Sequence, residues 1–299
     1  MKPALTQPEH LSGGIMDTYY TAGEAIKKLG IPRSTFYDLV KTNEIPKVNV
    51  PSRKRAFYPR QRIDELAKER ARTLGEVAQT PERFVFVLPQ RDDLEHLVDI
   101  ERMFFHESII VPPEEQQKQL TYNPEAIHVL KDSKTNTVVG GVSISPIQPE
   151  VLEKLISLEI DEAQIKPEDY LPYTADPPLD CYIVDFVVRP GLMATYYGSK
   201  LLQATLDYFI ELLKRGVVIR RFYAAAVTKF GERLTKGLHF KLLQSDWTRE
   251  HEEFRHAYVL DLENTASNSR LVKRYLKQRR NLAIRMRRRR RAEASGILQ

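Results

Sequence analysis

Residues 181–216 read CYIVDFVVRPGLMATYYGSKLLQATLDYFIELLKRG. The first eight are apolar and β-branched apart from Asp185, the pattern of a buried strand. Residues 189–198 hold Pro190, Gly191 and Gly198 and read as a turn-forming connection. From Ser199 the apolar period becomes helical, with Leu201, Leu202, Leu206, Phe209, Leu212 and Leu213 on one stripe. A strand that turns sharply into a helix leaves backbone N–H groups without intrahelical partners, a natural place for a pyrophosphate.

Working outward from this stretch, residues 83–88 (RFVFVL) read as a strand. Residues 92–105 follow as a helix with Leu94, Leu97, Val98, Ile100, Met103 and Phe104 at its apolar positions. Residues 126–130 and 137–144 form a hairpin around 132–136. Residues 146–180 interrupt the pattern as an insertion with a helical segment near 149–156 and a proline-rich exit. On the other side, 217–227 is a strand, and 242–246 and 254–261 are two more.

The central stretch resembles the acyl-CoA motif of the GNAT superfamily of N-acetyltransferases. That motif is a strand ending near V-x-P, then R/Q-x-x-G-x-G/A, then a small residue and a Leu-Leu helix; Val188, Pro190, Gly198, Ser199, Leu201 and Leu202 fall on it without a gap. The order of elements over 82–262 follows the same family. The resemblance implies an acyl-CoA site at Val188, Ala194, Tyr196, Gly198 and Ser199, and a cofactor that is acetyl-CoA or another acyl-CoA. Two letters depart from the pattern: Met193 stands for the Arg or Gln, and Tyr196 for the middle glycine that lets the backbone approach the phosphates. Further on, 231–240 aligns with A-x-x-L-Y-x-x-x-G-F through Leu234 and Phe240, with Thr235 in place of the Tyr that often protonates the departing thiolate, and His239 in place of the Gly.

N-acetyl transfer needs a carbonyl polariser, a base for the ammonium and an acid for the thiolate. Asp185 is the candidate base, directly or through water; the alternative is a polar residue at a strand splay. A backbone N–H near Val188 is the candidate polariser. Thr235 is a poor acid, and Tyr196 and Tyr197 are nearby alternatives. His96, His106, His128 and His239 share no ligand spacing, so no metal is assigned.

The N-terminal region reads differently. Residues 1–17 are a polar arm with Pro3, Pro8 and Gly13-Gly14. Thr21 and Glu24 form a capping-box pair before a short helix with Ala22, Ala25, Ile26 and Leu29 on its apolar face, closed by Gly30. Pro32 opens a second helix to about Lys41, with Phe36, Leu39 and Val40 inward. Two short helices across a tight turn make a helix-turn-helix, whose second helix enters a major groove. Residues 45–50 and 56–58 read as two strands with a basic tip at 51–54, and Pro59 starts a third helix through Ile63, Leu66 and Ala67. The order helix, turn, I-P-x-S-T-x-Y helix, basic hairpin, Y-x-x-x-x-I-D helix resembles the winged-helix domains of the MerR and excisionase families. The expected contacts are Arg33, Ser34, Thr35, Tyr37 and Lys41 to double-stranded DNA from the helix, and Arg53, Lys54 and Arg55 from the hairpin, or wing.

At 299 residues and 29% charged, with no apolar run near the ~20 residues of a membrane helix, the chain reads as soluble and cytoplasmic, with about two folded domains. Cys181 is the only cysteine, which excludes an intrachain disulfide and a cysteine-based zinc site. The net charge of +6 is unevenly placed: residues 1–80 carry 14 basic against 9 acidic side chains, 81–264 carry 20 against 30, and 265–299 carry 12 against 1. The tail reads as an amphipathic basic helix over 271–291 that binds nucleic-acid phosphates through charge, with a disordered tail or a contact to an anionic membrane surface as alternatives.

The expected fold class is α+β and multidomain: arm 1–17, winged helix-turn-helix 18–72, linker 73–81, GNAT-like mixed α/β sheet domain 82–262 with the insertion 146–180, and basic C-terminal helix or tail 263–299. The expected function is a DNA-binding transcriptional regulator whose divergent GNAT-like domain senses a ligand or mediates assembly. The alternative is an active acyl-CoA-dependent N-acetyltransferase targeted to DNA. A homo-oligomer is compatible with either.

Overall fold

The computed structural model describes residues 18–49, 55–248, 253–264, 267 and 269–294. The chain divides into two units, residues 1–83 with 190–196, and residues 84–189 with 197–299.

In the first unit, β1 (Tyr19–Thr21) leads directly into α1 (Ala22–Leu29). The turn into α1 is fixed by the expected capping box: the Thr21 hydroxyl accepts from the Glu24 N–H at 3.4 Å, and the Glu24 carboxylate accepts from the Thr21 N–H at 2.8 Å. Gly30 closes the helix at φ 63°, a left-handed conformation that glycine adopts without a Cβ penalty. Ile31 is buried and Pro32 sets the entry to α2 (Arg33–Lys41). Asn43 at φ 61° turns the chain away, and β2 (Val48–Asn49) and β3 (Ala56–Pro59) follow. α3 (Arg60–Gln79) is 20 residues long and continues helical through 73–79. Ala25, Leu29, Phe36, Leu39, Ile45, Tyr58, Ile63 and Leu66 form one core.

Two strands differ from the sequence reading. Ile45 is fully buried in that core rather than paired, and among the described residues Val48 and Asn49 extend the hairpin. Tyr19–Thr21 pairs antiparallel with Phe57–Pro59 and makes the sheet three-stranded, in the order β1-β3-β2. The physical reason is that β3 has two edges, and Tyr-Tyr-Thr is a short run of good strand formers beside the free one. The arm 1–17 and the hairpin tip 51–54 lie outside the described residues.

The second unit is a seven-stranded sheet with helices. Its elements are β4 (Phe84–Val87), α4 (Arg91–Glu101), α5 (Pro113–Tyr122), β5 (Ile127–Asp132), β6 (Thr137–Pro146), α6 (Pro149–Ile156), β7 (Leu179–Val188), α7 (Ala194–Lys214), β8 (Ile219–Ala226), α8 (Lys229–Gly237), β9 (Lys241–Thr248), β10 (Glu253–Asp261) and α9 (Arg270–Ala294). The strand order is β4-β5-β6-β7-β8-β10-β9. Every neighbouring pair is antiparallel except β7 and β8, which are parallel. A parallel pair needs a helical crossover, and α7 supplies it. This is the mixed α/β sheet expected from the sequence.

Glycine decides how closely α4 approaches this sheet. A Cβ on Gly141 would lie 2.5 Å from Leu97 Cδ1, and one on Gly140 would lie 2.7 Å from the Val187 carbonyl oxygen. Leu94, Leu97 and Ile100 therefore pack directly against β5, β6 and β7, with Val129, Val138, Tyr182 and Val187.

The boundaries of several elements move. α4 stops at Glu101 rather than running to Phe105, leaving Met103 and Phe104 exposed on the following turn. α5 is not anticipated by the sequence reading; it begins at a Pro-Pro pair and carries Glu114 and Glu115 in its first turn, both start signals. α7 begins at Ala194, five residues before Ser199, because Gly191 at φ 120° completes the turn early and residues 194–197 hold no breaker. The C-terminal basic segment is helical over Arg270–Ala294, and no helix among the described residues is long and apolar enough to cross a membrane.

Candidate functional site

The outward face of α2 holds the residues expected to meet DNA. Phe36 and Leu39 are buried, whereas Arg33, Tyr37 and Lys41 are exposed and Ser34 and Thr35 are half-buried. The helical period separates the two sets. Phe36 is fixed by Tyr58, edge to face at 4.8 Å between ring centres, so the helix cannot roll about its axis without breaking the core. The Arg33 guanidinium lies 5.5 Å from the centre of the Tyr37 ring one turn later, which orients both side chains on the free face. Arg55 is exposed at the start of the β3 approach, and Arg53 and Lys54 lie outside the described residues.

The second feature is a cavity of about 210 Å³ within the sheet unit. Its origin is in the strands. The parallel ladder of β7 and β8 pairs Leu179 through Ile183 with Ile219 through Ala224, and then β7 runs on to Val188 without β8 as its partner. On its other edge β7 carries one extra residue, Val184, between the Ser143–Asp185 and Ile144–Ile183 pairs. A bulge of this kind bends the strand and re-aims the neighbouring side chain. Here that neighbour is Asp185, which borders the cavity.

Asp185 shares the lining of this cavity with a second carboxyl, Glu101 at the end of α4. Burial pushes Asp185 up to about 7. Burial also holds Glu101 well above the carboxylate range, and the charge of Asp185 adds to it. Glu101 accepts from the Gln116 amide of α5 at 3.5 Å, while Asp185 Oδ1 has no hydrogen-bond partner. Ser143 Oγ, Gln116 Oε1 and Gln119 Nε2 are likewise buried without partners, and all three residues line the same cavity. A third carboxyl there is satisfied: Glu162 accepts from the Tyr182 hydroxyl at 2.6 Å and pairs with Arg255 at 3.6 Å. The rest of the wall is largely aliphatic and aromatic, so the cavity is mostly apolar.

Glu101, Gln116 and Gln119 were not singled out by the sequence reading. The signal existed: Glu101 sits seven residues after Leu94 and four after Leu97, so a charged residue occupies a core position of an apolar stripe. Thr235 is buried and its hydroxyl donates to the Gly231 and Glu232 carbonyl groups, both at 3.0 Å. Val188 is the last residue of β7; Ala194 and Tyr196 fall in the first turn of α7, with Gly198 and Ser199 in the next. At that depth in a helix, N–H groups bond to carbonyl groups four residues back.

Residues 19–71 match the model of a family described as "Helix-turn-helix domain". A search of curated protein sequences finds no match. Among solved structures, the chain is similar to the loading GNATL domain of CurA from Lyngbya majuscula, at 15% identity over 61% of this chain and 99% of that one, with a TM-score of 0.44. It is also similar to Ard1 from Thermoplasma volcanium, at 13% identity over 60% and 97% of the two chains, TM-score 0.41. A third likeness is to the ribosomal-protein-S18-alanine N-acetyltransferase from Escherichia coli, at 13% identity over 62% and 97%, TM-score 0.39. Residues 19–71 thus match a helix-turn-helix domain, and the sheet unit stands on its own strand order, a mixed sheet whose one parallel pair is β7 and β8.

Proposed function

We propose that this protein is a DNA-binding transcriptional regulator whose sheet domain senses a small ligand. Residues 18–72 are the DNA-binding part, 82–262 the sensing part with 146–180 as its insertion, and 263–299 a basic tail. The observation that carries the reading is the face of α2, where Arg33, Tyr37 and Lys41 are exposed while Phe36 and Leu39 lock the helix to its core. A helix presented in this way, beside a short hairpin, is suited to a major groove.

Residues 188–199 fit acyl-CoA poorly. Tyr196 carries a side chain in the first turn of α7, where the family pattern has a glycine, and Met193 offers no charge. Because α7 begins at Ala194, the amides of Gly198 and Ser199 fall inside the helix. Thr235 directs its hydroxyl into its own helix rather than toward a leaving group. These features favour sensing over acyl transfer, and they lead us to expect weak acetyl-CoA binding or none. Calorimetry of the full chain with acetyl-CoA tests that point; tight binding with rapid acetylation of an amine would replace this reading with the enzyme.

The DNA reading is tested by selecting duplexes from a randomised pool with the full chain, then measuring affinity by fluorescence anisotropy. A good base contact is worth roughly 1–3 kcal/mol of discrimination. Arg33→Ala is expected to lose that discrimination while keeping affinity for random duplex. If the full chain binds no duplex at low salt, the DNA assignment is wrong.

A further inference from the structure

The DNA-binding unit contains a piece of chain that the sequence places elsewhere. Residues 190–196 group with residues 1–83, whereas Arg189 before them and Tyr197 after them group with the sheet unit. The segment joins β7 to α7. Its anchor is Leu192, which is half-buried against the core that holds Leu29, Phe36, Leu39 and Leu66. Arg70, near the middle of α3, donates from Nε to the Leu192 carbonyl oxygen at 3.3 Å. The same guanidinium reaches the turn between α1 and α2: its Nη1 lies 3.5 Å from where a Cβ on Gly30 would be. Arg70 therefore stands between the 190–196 segment and the turn that presents Arg33, Tyr37 and Lys41.

The segment is held in one shape. Gly191 sits at φ 120°, which a side chain with a Cβ rarely adopts, and the Ala194 N–H donates to the Gly191 carbonyl oxygen at 3.1 Å. Ala194 to Tyr196 are the first residues of α7, so the segment runs without a break into a helix of the sheet unit. The next residue, Tyr197, packs its ring edge-on against Phe84 of β4, 5.4 Å between ring centres. Successive residues of α7 thus belong to different units. A shift at the end of β7 or the start of α7 has to be taken up within the segment or passed to Leu192. Packed cores yield between discrete arrangements rather than continuously.

We propose that residues 190–196 are a working part of the DNA-binding unit: through Leu192 and Arg70 they brace the turn that presents α2, and so make duplex affinity depend on how the sheet domain holds the ends of β7 and α7. Leu192 and Arg70 are positioning residues in this scheme, and neither needs to touch DNA. The proposal rests on the regulator reading above and supplies the route from its sensing part to its DNA-reading part. Linkage is reciprocal, so if loosening the segment lowers affinity for duplex, bound duplex must tighten the segment. Coupling of this sort commonly changes an affinity about 5–150-fold.

The test uses the full chain and amide hydrogen exchange, which reads the stability of separate regions. Two variants alter the segment without changing any residue of 18–72. Leu192→Ala removes the anchor, and Gly191→Ala strains the turn. Without DNA, each is expected to speed exchange across 22–41 and 60–70 at least fivefold and to leave 127–132 and 137–146 unchanged, whereas Leu192→Met stays near the unaltered protein. Complete exchange of the first unit in Leu192→Ala, with the sheet still protected, supports the proposal in its strongest form. With the duplex selected above, both variants are expected to bind at least fivefold more weakly. Saturating duplex is expected to slow exchange at 190–196 at least threefold in the unaltered protein but not in Arg70→Ala. The proposal is overturned if both variants speed exchange only within 190–196, or if they loosen 22–41 while duplex affinity stays within twofold. A full chain that binds no duplex sinks the regulator reading and with it the output proposed here, and the DNA-free exchange then decides the bracing by itself.

Discussion

His128 lies flat against Phe86, 4.6 Å between ring centres and 4° from parallel, with the Tyr208 ring at 4.3 Å and tilted by 50°. Burial lowers its pKa to about 4, with Glu125 opposing the shift. In the unfolded chain the ring takes its proton near 6.5. Above that pH neither state is protonated. Between about pH 6.5 and 4 the unfolded state binds more protons, so stability falls as pH falls, by up to about 3 kcal/mol from this one residue. We expect His128→Phe to lose less stability than the unaltered protein between pH 7.5 and 4.5 in urea titrations; equal losses would remove His128 as the cause. Asp185 has the opposite sign. Its folded pKa is raised, so its contribution is present at low pH and is lost as pH rises toward about 7. Asp185→Asn should accordingly stabilise the protein more at pH 8 than at pH 5, a comparison the same titrations provide.

At the scale of elements, glycines that look alike in sequence do different things. Gly140 sits where β6 meets β7, with the Val187 carbonyl oxygen 2.7 Å from where a Cβ would be. Backbone cannot yield as a side-chain tip can, so Gly140→Ala is expected to cost roughly 1–3 kcal/mol. Gly198 lies inside α7, and a Cβ there meets nothing within 4 Å. Gly198→Ala should stabilise the helix by about 0.8–1 kcal/mol. Thermal denaturation of the two variants checks both signs, and a destabilised Gly198→Ala would show that α7 does not extend to Ala194. The turn Gly30-Ile31-Pro32 was legible because each residue has one backbone meaning there. Gly191 was not separable from Gly198 by sequence, since which glycine ends the loop depends on where the helix can start packing.

For the whole molecule the charge division is the main fact: net +5 over 1–80, −10 over 81–264 and +11 over 265–299. Attraction between a basic tail and an acidic body predicts some folding back, and Arg274 and Arg279 make such pairs on α7 and just after β10. The run Arg287–Arg291 lies on α9 as backbone, with its side chains outside those described. We expect this distal part to add affinity for any duplex. Each phosphate it neutralises contributes about 0.9 to the log–log salt slope. A chain ending at Ile284 keeps the cavity wall and loses Arg285 and Arg287–Arg291, so its slope should flatten while its ranking of sequences stays. An unchanged slope on the same duplex would mean that this run does not reach DNA.

The sequence alone determined the two architectures and their order, because caps, turn residues and apolar periods act over a few residues and are written locally. It also marked Asp185, a lone charge in a β-branched run, and the face of α2 that carries Arg33 and Tyr37. Only the tertiary structure decided the rest. Pairing of Tyr19–Thr21 with β3, the bulge at Val184, the cavity that Glu101 and Asp185 both line, and the wall that Val272 and Tyr275 give to it all join residues far apart in the chain. Such contacts depend on which surfaces are left to bury once the local elements exist, and no window of sequence contains that information.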